Sequence, residues 1–400
     1  AYLEPRNSPR RDETRRLQVR WLSPEVGLGR SRGCVEPSCG DTDGNGAVDV
    51  PIKATITKKG ADVHVYYDGG PPSTGSFNAT HAVMQATATI PFLYYIDSDI
   101  PHNHGVLKHI RAEAKEGTIC NAKWPAAVGG ATTNPADPMH DVINIAMATA
   151  IPERVPAGSC HAGHMPSLSG VDSRNDKEWG CMLFNSMGGS GAAKDSDGWP
   201  MVGTIAGMGG LRSASIEEVE LLYPLRVDCN EIETDSMGMG QWIGGVGTRT
   251  SYRPIAGEME AVGFGEGSKN PPHGVNGGTM SRGGGIYIEH TDGKRTFTSV
   301  AGQTLVKKDE AWIAYSSGGG GWGSPCDRDP ETVRRNLRDG MISEAAARDV
   351  FGVVLKGDLE RTLDVKATEK QRAKLRTEER PMIDPVVPGA GSWMKENMRP

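Results

Sequence analysis

Residues 47–67, "AVDVPIKATITKKGADVHVYY", decide how this chain begins to fold. Val48, Val50, Ile52, Ala54 and Ile56 recur at every second position, the side-chain period of a strand rather than a helix. Lys58-Lys59-Gly60 then offers a turn and alternation resumes through Tyr67, so the stretch predicts a β-hairpin. The residues just upstream suggest a different reading. "DTDGNGAVDVPI", residues 41–52, has oxygen-bearing side chains at its first, third and fifth positions and glycine at its sixth, as an EF-hand calcium loop does. Such a loop closes with a bidentate carboxylate at its twelfth position and is flanked by helices. Here the twelfth residue is Ile52, and Pro37 and Pro51 disfavour the helices. Asp43, Gly44, Asn45 and Gly46 therefore read as a tight turn feeding the strand, with no calcium.

Beyond the hairpin, "NATHAVMQATATI" (78–90) predicts a helix stopped by Pro91. A second is predicted over 138–150. Asp137 would cap it, Pro138 suits its first turn, and Met139, Val142, Ile143, Ala146, Met147 and Ala150 share one face before Pro152 ends it. Between 185 and 300, glycine-rich loops alternate with β-like runs such as "VELLYPLRV" and "GIYIEH", predicting mixed or antiparallel sheet. The end of the chain is helical in character. Asp329 caps a helix with Pro330 at its first position and Gly340 as its stop, Ser343 caps a second, and "ATEKQRAKLRTEER" forms a third. The expected class is α+β, with mixed and antiparallel sheets, packed helices, glycine-rich loops and a helical C-terminal appendage. The expected division is an irregular segment over 1–45, a core over 46–325, and over 326–400 an appendage that could lie on a neighbour.

Gly 53 and Pro 26 make up about a fifth of the 400 residues, below the ~25–30% of low-complexity chains. A net charge of −6 and a pI near 6.0 argue against nucleic acid or an anionic membrane as partner, because no broad positive field exists to displace counterions. A protein or small-molecule partner is expected instead. No apolar run approaches the ~18–20 residues of a membrane span, and the first residues have no signal-like apolar core. The odd total of 7 cysteines fits reduced thiols and a cytoplasmic location, and Cys34 and Cys39, lacking a second pair, do not suggest zinc. Because the first residue is Ala rather than Met, the chain is expected to be processed or a fragment.

Three histidine sets carry the candidate chemistry. His102, His104 and His109 follow a proline in a loop without a nearby acid and read as structural or solvent-facing. "GSCHAGHMPS" places Cys160, His161 and His164 together. That spacing could supply soft ligands to a transition metal, or a thiolate beside a base, or simply a polar loop near a cleft. His140 and Asp141 fall in the first turn of the predicted 138–150 helix, away from its apolar face; a solvated face and the helix dipole account for them, with His140 a second candidate for proton transfer. The glycine stretches at 188–198, 207–211 and 318–323 lack the Lys-Ser/Thr or strand-to-helix context of phosphate loops, and read as corners between strands.

Four blocks are more distinctive as a set than any of these motifs: "FNATHAVMQATATIPFLYYIDSDIPHNHGVLKHIRAEAKEGTICNAKWPAAVGG", "EEVELLYPLRV", "GMGQWIGGVGTRTSYRP" and "GGGGWGSPCDRDPETVRRNLRDGMISEAAARDVFGVVL". In their order and spacing they resemble the C-terminal half of the hydantoinase B/oxoprolinase family, from about residue 46 to 375. The resemblance implies one subunit of an ATP-dependent hydrolase of cyclic amides (hydantoin, 5-oxoproline or lactam), working in a hetero-oligomer with a hydantoinase A-type subunit. ATP and Mg would sit on that partner. It also implies a divalent metal, Zn or Mn, bound mainly by the family's upstream half, which this chain lacks. Residues 1–45 do not match, and "VYYDGGPPSTGSFNA" replaces the family's usual turn. The same resemblance admits a subunit of an ATP-dependent ketone carboxylase, or an inactive truncated scaffold. Within it, Cys160, His161, His164 and His140 are the residues expected to transfer protons or orient ligands.

Overall fold

The computed structural model describes residues 38–42, 48–97, 99–161, 164–203, 212–298, 302–358 and 361–377. The predicted hairpin is present. Strand β2 (Val48–Lys59) pairs antiparallel with β3 (Asp62–Gly69) around Gly60, and β1 (Ser38–Thr42) pairs antiparallel with β2 on its other side. Asp43, Gly44, Asn45 and Gly46, where the sequence predicts a turn, lie outside the described residues. Ile52, Ile56, Val63, Val65 and Tyr67 bury one face of this sheet, as the alternation demands.

That face is covered by two helices. The first, α1 (His81–Tyr95), starts where Thr80 accepts a hydrogen bond from the Val83 N–H, but it does not stop at Pro91. Met84, Ala88, Phe92 and Tyr95 form one buried stripe that continues past the proline. Burying two aromatic side chains at ~1.5–3 kcal/mol each offsets the ~3 kcal/mol that a proline inside a helix costs through its lost hydrogen bond and ring clash. The short α2 (His104–Leu107) leads into β4 (Ile110–Ala114), which adds to β3 in parallel. The His102–His109 group, on and around α2, stays at the surface, with His109 Nδ1 2.7 Å from Asp62 Oδ1. The second covering helix, α3 (Ala136–Ala148), begins two residues earlier than its pattern suggests. Asp137 sits buried in its first turn instead of capping it.

Two further sheets are wholly antiparallel and share a second core. One has the order β12 (Gly302–Val306), β9 (Met259–Phe264), β5 (Met165–Asp172), β6 (Lys177–Met182). The other runs β11 (Arg295–Thr298), β10 (Gly285–Glu289), β13 (Ala311–Tyr315), β8 (Thr248–Pro254), β7 (Leu225–Ile232). Leu168, Met259, Ala261 and Val306 from the first meet Tyr252, Ile286, Trp312 and Ala314 from the second. The β-like run "VELLYPLRV" divides in two. Its first part belongs to helix α4 (Ile216–Leu222), because Ser215 caps it by accepting from the Glu218 N–H and only Pro224 ends it. Its second part is the start of β7.

The glycines of the described stretches at 188–192 and 318–322 do not serve mainly as corners between strands. Extended segments around residues 157–160, 188–192, 237–245, 273–279 and 317–322 lie backbone against backbone and exchange hydrogen bonds, such as Gly238 N to Gly319 O at 2.7 Å and Gly320 N to Gly158 O at 2.8 Å. A Cβ on Gly319 would sit 1.9 Å from Ser190 O, and one on Gly244 would sit 1.9 Å from Gly319 O. Only glycine permits such approach, so glycine content here encodes close packing.

The three C-terminal helices, α5 (Pro330–Arg338), α6 (Glu344–Asp349) and α7 (Val365–Leu375), begin at Asp329, Ser343 and Asp364, each accepting from a first-turn N–H. Val333, Leu337, Ala347 and Phe351 pack on Met237, Met239, Ile243 and Val246 of the glycine layer, so α5 and α6 rest on this chain's own core. Arg328 fastens the junction: its buried guanidinium reaches both Asp197 oxygens at 2.8 and 2.7 Å and Gln241 O at 2.9 Å. Sheets and helices together make the α+β class that the patterns predict. Among the described residues no helix is long and apolar enough to cross a membrane.

Candidate functional site

Where α3 meets the glycine layer, three imidazoles converge on one carboxylate. Asp141, on α3, is 2% exposed. His161 Nε2 lies 2.8 Å from its Oδ2 and His273 Nδ1 3.3 Å from the same oxygen, while His140 Nδ1 is 3.4 Å from Oδ1. The solvated-face reading of His140 and Asp141 is thereby overturned. Helix α3 is buried all round from Ala136 to Asn144, because its apolar side packs on the first sheet and its polar side meets the segment carrying His161.

Burial alone would raise the Asp141 carboxyl, yet the His273 ring, followed by the imidazoles of His140 and His161, holds it well below the usual carboxylate range. An ionised carboxylate at this depth is stable only with positive charge or several donors around it, and the imidazoles supply them. Behind His140 the polar chain continues, with Asn144 Nδ2 3.4 Å from His140 Nδ1 and the Tyr95 hydroxyl donating to Asn144 Oδ1. The Tyr94 ring meets His140 edge-on at 5.8 Å between centroids. Burial pushes both tyrosine hydroxyls up, so they stay protonated.

The candidates named from the sequence separate here. His140 and His161 reach Asp141. Cys160 does not: its thiol donates to Gly203 O at 3.1 Å, and burial, then the charge of Asp137, pushes its ionisation up, the reverse of what an attacking thiolate needs. His164 is buried between Gly265 and Gly284, where an added Cβ would come within 2.2 and 2.4 Å of its ring nitrogens. Two participants are not among the sequence candidates. Asp141 reads in the sequence as a response to the helix dipole, and His273, in "PPHGVNGG", stands far downstream with no local pattern to mark it.

Nearby, Asn134 donates to Glu266 Oε1 at 3.0 Å and to Gly265 O at 3.2 Å, tying the start of α3 to the loop after β9. Among the described residues no group of three or more His, Cys, Asp or Glu is arranged to hold a metal ion. The glycine stretches at 188–198 and 318–323 do not fit a phosphate either, since the N–H groups of Gly189, Gly319, Gly320 and Gly321 already donate to backbone carbonyls. Residues 207–211 lie outside the described residues.

A family model described as hydantoinase B/oxoprolinase matches residues 29–325. The chain is 32% identical over 341 residues to the beta chain of caprolactamase from Pseudomonas jessenii, covering 83% of this chain and 58% of that protein. It is 26% identical over 346 residues to the B-type subunit of a putative D-/L-hydantoinase from Pseudomonas sp. strain NS671, covering 83% and 56%. The crystal structure of ATP-dependent caprolactamase from Pseudomonas jessenii superposes with a TM-score of 0.71 at 30% identity, over 80% of this chain and 56% of that one. The chain thus spans little more than half the length of these relatives.

Proposed function

Because this chain belongs to the hydantoinase B/oxoprolinase family, we propose that it is a subunit of an ATP-dependent hydrolase that opens cyclic amides, acting with an ATP-binding A-type subunit. The observation that carries this reading is the likeness in both sequence and fold to caprolactamase, whose names state a lactam, a subunit and ATP. The chemistry is consistent with a divided enzyme. A lactam or hydantoin carbonyl is stabilised by its nitrogen lone pair and is a poor electrophile. Phosphorylation of its oxygen makes the carbon open to water. The filled glycine layer of this chain offers its backbone N–H groups to its own carbonyls, which supports placing the nucleotide, with Mg, on the partner. A divalent metal would assist as a Lewis acid or by acidifying water, and its ligands are expected outside the described residues.

The test is phosphate release by the natural complex, purified through a tag on this chain, against a panel of lactams, hydantoins, 5-oxoproline and ketones, with and without bicarbonate. Release that depends on a cyclic amide and ignores bicarbonate supports the proposal. Release that needs a ketone and bicarbonate would make the complex a carboxylase, and release with no panel member would point to a scaffold. Either outcome overturns it.

A further inference from the structure

Of the three imidazoles around Asp141, one differs in its surroundings. His140 is 2% exposed and enclosed by Tyr94 and Asn144, and His161 is 5% exposed. The His273 side chain is 18% exposed, more than either of the other two rings, although its Nε2 is itself buried. Its backbone is fixed by the glycine layer: Gly158 N donates to His273 O at 2.9 Å, and a Cβ on Gly320 would sit 1.9 Å from that oxygen. Gly158 also lets the ring lie close, since a Cβ there would come within 2.7 Å of His273 Nδ1 and 3.2 Å of Asp141 Oδ2.

The far side of the ring is unmet. Among the described residues His273 Nε2 is buried and has no hydrogen-bond partner, and the same holds for His140 Nε2. Leaving such a nitrogen unsatisfied costs ~1–3 kcal/mol. A buried nitrogen without a partner, on a ring fixed from both sides, is a place where a water or a ligand can supply the missing hydrogen bond. With Asp141 ionised and facing Nδ1, the proton belongs on Nδ1 and the lone pair on Nε2.

We propose that His273 is the proton-transferring residue of the cyclic-amide reaction and that Asp141 is its positioning residue. This rests on the function proposed above. Once the amide oxygen carries the phosphoryl group from ATP, a water oxygen bonds to the carbonyl carbon and its proton passes to His273 Nε2. The ring C–N bond then breaks as that proton is delivered to the departing nitrogen, and the remaining hydroxyl proton of the added water leaves to solvent as the C=O bond re-forms. The product is an open-chain acyl phosphate, which a second water converts to the carboxylate and free phosphate. Asp141 takes no proton in this sequence. It holds the Nδ1–H tautomer and offsets the imidazolium charge, while His140 and His161 keep Asp141 ionised.

Two readouts test the proposal in the natural complex. In ¹⁵N-histidine spectra, the His273 resonances, assigned by their loss in His273→Asn, should show Nδ1 protonated and Nε2 bare, and Asp141→Asn should change that tautomer. In turnover, His273→Asn, which retains a donor near the Nδ1 position, should lower kcat ~100-fold or more while KM changes little. Asp141→Asn should lower kcat, and added imidazole should partly restore His273→Ala. A bare Nδ1 in the wild type, or a His273→Asn enzyme within twofold of wild-type kcat, overturns the proposal. If the wild-type complex opens no cyclic amide, the proposed function fails instead, and the spectrum alone decides whether Asp141 sets the His273 tautomer.

Discussion

Replacing Gly319 by alanine tests the close packing that carries both the C-terminal helices and the site. The new methyl carbon would lie 1.9 Å from Ser190 O, 2.2 Å from Ser190 C and 2.5 Å from Gly191 N. These are backbone atoms, which cannot swing aside as the end of a long side chain can. Relief needs a shift of roughly 1 Å in a close-packed layer. Ser190 O accepts from Gly245 N at 2.9 Å, Gly319 N donates to Gly245 O at 3.0 Å, and Gly319 O accepts from Gly238 N at 2.7 Å, so the shift strains three hydrogen bonds. Overpacking costs ~1–3 kcal/mol and each weakened bond up to ~1 kcal/mol, which gives about 4 kcal/mol. With a urea slope of roughly 2–3 kcal/mol/M the unfolding midpoint should fall by ~1–2 M. Buried Trp322, within the layer, provides the fluorescence signal. Gly70→Ala is the control, since nothing lies within 4 Å of its added Cβ and it should change stability by less than ~1 kcal/mol. Equal midpoints for Gly319→Ala and Gly70→Ala would refute the packing argument.

Other consequences follow from particular contacts. Arg328→Met should cost ~2–3 kcal/mol in chemical denaturation, less than the ~3–5 of a fully buried pair, because Asp197 is 39% exposed and can rehydrate; an unchanged midpoint would mean that the clamp contributes nothing. Asp141→Asn should destabilise by ~3–5 kcal/mol at pH 7. Its folded carboxyl ionises below the ordinary 3.8, so the unfolded chain takes up the proton first as pH falls. The stabilisation is therefore complete above about pH 4 and is lost on further acidification, and the gap between wild type and variant in urea midpoints should close there; a gap that widens in acid would contradict this. Native Cys160 should resist iodoacetamide and react only after unfolding, as peptide mapping would show, and rapid native labelling would refute its burial.

The parts of the fold that could be read from sequence are those whose signal is local. Alternation from Val48 to Ile56 carried the hairpin, and Asp329 with Pro330, then Ser343, marked the C-terminal helices, because a strand face or a cap is decided by neighbours a few residues away. Pro91 misled because its local cost is outweighed by the burial of Phe92 and Tyr95, which only the assembled sheet provides. Glycine misled because the same composition serves a turn or a backbone contact, and the partners of Gly319 lie in other segments. For the site, His140 and His161 were visible as candidate chemistry. Their meeting point was not. Asp141 looked solvated while only the apolar face of its helix was considered, and His273 joins it through a contact distant in sequence. Cys160 is adjacent in sequence to His161, but its thiol points to Gly203 O and not to the cluster.

The central claim is that this chain serves ATP-driven opening of a cyclic amide. The most direct measurement is the ratio of free phosphate to ring-opened amino acid formed by the tagged natural complex supplied with caprolactam, hydantoin or 5-oxoproline, ATP and Mg in bicarbonate-free buffer. The account predicts that both products accumulate together in a fixed ratio and that neither forms without ATP. Ring opening that proceeds without ATP, or phosphate release with no ring-opened product, would contradict it.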